Sequence, residues 1–340
     1  MFLPYLALTL TAMVLLTLLL ISAVRLARVG SVPAILPVGA GSPAAFEAYS
    51  RRSVGRALLI AIAMSGTLAA VSFVAEIAST VPAVQSGTPT SITSMVDPGA
   101  VGLSLAPFVF GLTGMSVVLR RERRSPMVTT SARRAGLIPR RAREYVRPSS
   151  LMLVAGALTC LLILLGTGLA TGDSSGASLT YDQSSGSEVW VSSMSWPGWL
   201  IAVPALILTV AQLVLAVAAL RRIAARSQVT TCEDEGLDET LRRRSADAVV
   251  GLLLISLALP LLDTGLTMGP VLGWALGEHP IASEAMGVLG TFALVCAAFS
   301  LLGLAAGVAL LARRPRLFFR TDRGSRLDDG TLSSEGKAAR

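Results

Sequence analysis

Two carboxylates at the far ends of long apolar stretches are the residues of this chain best placed to do chemistry. Asp263 lies 19 residues past Arg244 and Glu76 lies 20 past Arg56, with no basic residue between in either case. At a helical rise of ~1.5 Å per residue both sit roughly 28–30 Å from the arginines, at the far edge of a ~30 Å hydrocarbon core. An ionisable side chain in a membrane segment is costly and by default marks a pathway or a partner. Thr264 adds a hydroxyl oxygen beside Asp263. The chemistry that fits is capture of a proton or a small cation. If Asp263 and Glu76 close into one vestibule, their mutual repulsion favours a bound cation. The candidate site is therefore Asp263, Thr264 and Glu76. The competing reading is a wetted acid at the interface, because a carboxylate at that depth reaches water unaided.

Other motifs point to packing. Pro260 removes the donor that would pair with the Ser256 carbonyl, so a kink is expected three residues before Asp263. Gly303-x-x-x-Gly307 permits close helix approach, and Gly111 with Gly114 and Gly166 with Gly168 do so at shorter spacing. His279, the only histidine, stands beside Glu278 and makes at most a surface pair. The three cysteines, Cys160, Cys232 and Cys296, show neither metal spacing nor a disulfide framework. The sequence has no Gly-rich phosphate loop, no Gly-x-Ser-x-Gly elbow and no Cys-x-x-Cys. A non-catalytic protein without a cofactor or a metal is the expectation.

The elements that carry these residues are set by composition. Hydrophobic residues form 53% of the 340-residue chain and charged ones 15%, and mean hydropathy is +0.67. A soluble domain is about 25% charged, so the expected class is all-α, a polytopic helix bundle in a membrane. The net charge of +8 follows topology and not nucleic acid: Lys and Arg are absent from 57–119, 148–220 and 245–312. That confinement is the positive-inside pattern.

Seven spans are expected, at about 3–24, 57–78, 100–119, 149–171, 198–220, 246–266 and 286–312. Residues 1–320 then form one transmembrane domain, with a disordered cytoplasmic tail over 321–340. The N-terminus is placed outside and the C-terminus in the cytoplasm of a bacterial cell membrane. The layout is one anchor helix and three in-to-out-and-back hairpins, whose return helices end alike at Arg120-Arg121, Arg221-Arg222 and Arg313-Arg314. Such same-sense units could be repeats about the membrane normal or share only stop-transfer arginines.

The loop 120–147 carries ten arginines and should lie on anionic headgroups. A short solvated helix is expected over 230–247, with Asp238–Arg242 and Glu239–Arg243 as i,i+4 pairs. The stretch 172–196 reads as a Ser/Gly-rich outer loop, and Trp190, Trp196, Trp199 and Trp274 as an outer aromatic belt. Two functions follow as expectations. The first is an accessory or interaction subunit of a membrane assembly. The second is a transporter or permease-like protein with an outer-facing acidic vestibule.

Overall fold

The computed structural model describes residues 55–72, 74, 98–124, 142–172, 176, 178–185, 188–225, 235–274 and 283–312. The expected first span and the tail lie outside these residues. Helix α1 covers Gly55–Ser72 and α2 covers Pro98–Arg124. A 3₁₀ turn at Ala142–Tyr145 leads into α3, Pro148–Thr171, whose proline occupies the first turn, where no intrahelical donor is needed. Two strands follow, β1 at Ser178–Ser185 and β2 at Glu188–Ser195. Then come α4 (Trp199–Ala225), α5 (Glu235–Trp274) and α6 (Ser283–Ala312).

Five helices are long and apolar enough to cross a membrane: Gly55–Ser72, Pro148–Thr171, Trp199–Ala225, Arg242–Leu272 and Gly287–Ala312. In α2 only the shorter stretch Ser104–Arg120 is apolar. The chain is a multi-pass helical membrane protein. On α4 the sorting of faces is plain: Val203, Ile207, Val210, Val214 and Val217 are exposed at helical spacing, while Ala205, Gln212, Ala216 and Ala219 are buried. The outward face is large and apolar, as lipid contact requires, and the inward face is mostly small, with Ile201, Gln212 and Ile223 the larger side chains on it.

The molecule is organised around α5. In its most apolar window 94% of the residues are buried, against 44% or less in each other span. It touches α2, α3, α4 and α6, and its seam with α6 is the most extensive. Small residues make that seam possible. A Cβ on Gly251 would lie 2.9 Å from the Gly307 carbonyl oxygen, and one on Gly307 2.8 Å from that of Gly251. Gly303 faces Ala258 at 3.3 Å, and Gly265 faces the Ala293 carbonyl at 2.7 Å. Both glycines of the Gly303-x-x-x-Gly307 motif therefore face α5. On the other side, Ser65 Oγ of α1 donates to the Ala106 carbonyl of α2 at 2.9 Å.

Three expectations need correction. The segment over 230–247 is not a separate helix, because α5 runs unbroken for 40 residues, through both Pro260 and Pro270. The apolar span is accordingly Arg242–Leu272, longer at both ends than 246–266. Arg242 and Arg244 explain the continuity. Arg242 Nη1 donates to the carbonyls of Ile223 (3.0 Å) and Ala224 (2.8 Å), the open C-terminal carbonyls of α4. Arg244 does the same for α6, reaching Leu310 (3.1 Å) and Leu311 (2.6 Å). These bonds need a rigid helix to aim them.

Second, the stretch 172–196 is not all loop. It holds an antiparallel hairpin in register from Ser178↔Ser195 to Ser185↔Glu188, so among the described residues the regular structure is helical apart from this ribbon. Third, Trp196 is fully buried and not in a headgroup belt: its Nε1 donates to Thr171 Oγ1 at 3.0 Å. It holds the hairpin base on α3. Gly176, at φ 77°, lies against Trp199 and accepts from Leu200 N–H at 2.9 Å, joining the base to α4 as well. Trp199 is exposed.

Candidate functional site

Asp263 and Thr264 meet the same small cavity, of about 30 Å³, at the hairpin end of the bundle. Thr267 of α5, Ser104 and Phe108 of α2, Leu165 of α3, and Pro197 and Ile201 at the start of α4 complete its walls. Four segments thus line the cavity, α5 contributing Asp263. The Asp263 residue is exposed, while Thr264 is 8% exposed. Thr267 Oγ1 donates to the Asp263 backbone carbonyl at 2.9 Å, so its hydroxyl proton is engaged and its lone pairs remain to accept. The site offers carboxylate and hydroxyl oxygens. Its volume admits about one or two waters or a bare ion, far below the several hundred Å³ that an organic substrate fills.

A second polar cluster lies deeper on the same stripe of α5. Ser256 is seven residues before Asp263, two turns or roughly 10 Å along the helix, and fully buried. Its Oγ donates to the Leu253 carbonyl at 2.8 Å. Its own carbonyl has lost its i+4 donor to Pro260. Opposite it, on α4, Gln212 is fully buried, and its Nε2 donates to the Phe108 carbonyl at 2.6 Å. Gln212 Oε1 accepts no hydrogen bond among the described residues. An unmatched buried acceptor costs about 1–3 kcal/mol, so it is a feature to be explained.

Gly111 is what lets the two meet. A Cβ there would lie 2.7 Å from Gln212 Cδ and would collide with Ser256 Cβ. Phe108 joins the two levels: its side chain lines the cavity and its carbonyl holds Gln212. Asp263, Ser256, Phe108 and Gln212 therefore form a column of polar groups running inward from the hairpin end. All three helices around it carry an internal proline, Pro107 in α2, Pro204 in α4 and Pro260 in α5. Each proline frees a backbone carbonyl.

Of the residues expected from sequence, Asp263 and Thr264 are brought together, and Glu76 lies outside the described residues. The pair Glu278–His279 lies outside them too. Gly303 and Gly307 belong to the α5–α6 seam and not to the cavity. Gln212 was missed by the sequence reading, and Ser256 was named there only for the carbonyl that Pro260 frees. Gln212 carried a signal, being the only amide side chain between 199 and 220. Among the described residues no group of three or more His, Cys, Asp or Glu could hold a metal ion. Compared with known proteins, the chain matches no family model, no curated sequence and no solved structure.

Proposed function

We propose that this is a seven-span bacterial cell-membrane protein, N-terminus outside and C-terminus cytoplasmic, that takes a small cation or a proton into the Asp263 cavity in the manner of a permease. The orientation rests on the basic residues, which are confined to alternate loops. It puts the hairpin end outside, where eight acids, Asp263 and Glu76 among them, face no Lys or Arg. A field of that sign draws cations. One observation carries the functional reading: Asp263 shares a cavity of about 30 Å³ with Thr264 and Thr267. That volume suits an ion or water.

The test is thermal unfolding with and without added Na⁺, K⁺ and Ca²⁺, comparing Asp263→Asn with Asp182→Asn. The wild type and Asp182→Asn should be stabilised by at least one of these ions, and Asp263→Asn by none. An unchanged response in Asp263→Asn makes Asp263 a wetted surface acid and removes the proposal.

A second reading, the accessory subunit of a membrane assembly, rests on the arginine-rich 120–147 loop, which offers a basic surface to a partner. Its partners would be anionic headgroups under the 120–147 loop and a further membrane protein, with no nucleic acid. Purification from native membranes with no stoichiometric partner would count against it.

A further inference from the structure

Cys160 on α3 and Cys296 on α6 are 136 positions apart in sequence, yet the fold sets their side chains beside one another. The helix register supports this pairing independently. One turn away, the Cβ position of Gly156 lies 3.2 Å from Phe299 Cζ. The pairs 156 with 299 and 160 with 296 step in opposite directions by four and three residues, as two antiparallel helices must. Both cysteines are free thiols, Cys296 buried and Cys160 half-buried.

Their depth decides which chemistry can reach them. Cys160 is 12 residues into the 24-residue α3 and Cys296 is 13 past the start of the 30-residue α6, so both lie near mid-span. The flank of α3 beside Cys160 is exposed and largely apolar, with Leu162 and Ile163 each more than 40% exposed. A reagent arriving there comes through lipid.

We propose that Cys160 and Cys296 are a redox pair that closes to a disulfide between α3 and α6, with a lipid-soluble quinone as oxidant. Two S–H bonds break and one S–S bond forms. The two electrons and two protons pass to the quinone, which leaves as the quinol. A disulfide requires the two Cα atoms to lie within about 7 Å, so its formation also reports how closely α3 and α6 approach at this level.

The experiment uses the full chain in liposomes, with Cys232→Ser as background so that only the pair is counted. A short-chain benzoquinone with every ring position substituted, so that thiols cannot add to it, is supplied, the protein is unfolded in detergent, and free thiols are counted with a maleimide–polyethylene glycol. Both labels should disappear together and return after dithiothreitol. Adding Cys160→Ser or Cys296→Ser should leave the remaining thiol labelled, because a lone cysteine cannot close the bond. In wild-type chain, the peptides holding Cys160 and Cys296 should be recovered linked, which frees the result from any folding defect of the variants. Retention of both labels, or loss of the lone thiol in the single-cysteine variants, overturns the pair. Equal oxidation rates with the water-soluble oxidant diamide overturn the route through lipid.

Discussion

At the scale of single residues, the deep end of the polar column rests on a hydrogen atom. Gly111 has no side chain, and Gln212 and Ser256 occupy the space that one would take. Gly111→Ala puts a methyl group into packed side chains and is expected to cost about 1–3 kcal/mol, read as a fall in unfolding temperature. Gly66→Ala is the control. Its Cβ would meet nothing within 4 Å, so the gain in helix propensity should leave stability unchanged or raise it by up to about 1 kcal/mol. Asp263 and Thr264 were legible because a carboxylate at the end of an apolar stretch announces itself. Gln212 was legible as an oddity only. Its partner Phe108 is 104 positions earlier, and nothing in local spacing brings that carbonyl to it.

Among the elements, α5 depends on which arginine faces which way. Three consecutive arginines have different surroundings: Arg242 is 1% exposed and Arg244 7%, whereas the Arg243 side chain is 61% exposed and pairs with Glu239 at 2.6 Å. Arg244→Ala leaves two buried α6 carbonyls without that donor and should cost about 1.5–3 kcal/mol, as for hydrogen bonds to a charged group. Arg244→Lys should recover part of it, since an ammonium lacks the guanidinium fork. Arg243→Ala removes an exposed i,i+4 pair and should cost no more than about 0.5 kcal/mol. Thermal unfolding of the three variants side by side checks the order.

Of the two i,i+4 pairs expected from sequence, Glu239–Arg243 forms, and the Asp238 side chain lies outside the described ones. Helical spacing finds a pair on one helix. The ends of α4 and α6, where Arg242 and Arg244 donate, are 18 to 67 residues away in sequence and invisible to it. The hairpin was missed for a related reason. Serine and glycine suggested a loop, while the strand formers Tyr181, Val189, Trp190 and Val191 are too few to outweigh them by pattern.

For the whole molecule, the places of the six described helices were legible in the alternation of apolar and arginine-bearing segments, while the three in-to-out-and-back hairpins drawn through them remain a proposal. Equivalence of the hairpins was not legible. If they were alike in packing, α1, α3 and α5 would be equally enclosed. Instead 28%, 33% and 94% of their respective apolar windows are buried. The central helix is the one whose face carries Ser256, Pro260 and Asp263. The proposed orientation predicts that a phosphatase fused after Gly186 is active and one fused after Arg134 is not. The opposite pair of activities would turn the bundle over and place the cavity on the cytoplasmic side.

Accessibility at position 267 tests the outward-facing cation cavity most directly. Thr267→Cys, made with Cys160, Cys232 and Cys296 replaced by serine and with Asp263 intact, puts one thiol on the cavity wall. A membrane-impermeant methanethiosulfonate added outside intact cells should label it. A cation that stabilises the wild type should slow that labelling, and adding Asp263→Asn should abolish the slowing. Absence of labelling from outside, or a rate that ignores cations while Asp263 is present, would contradict the account.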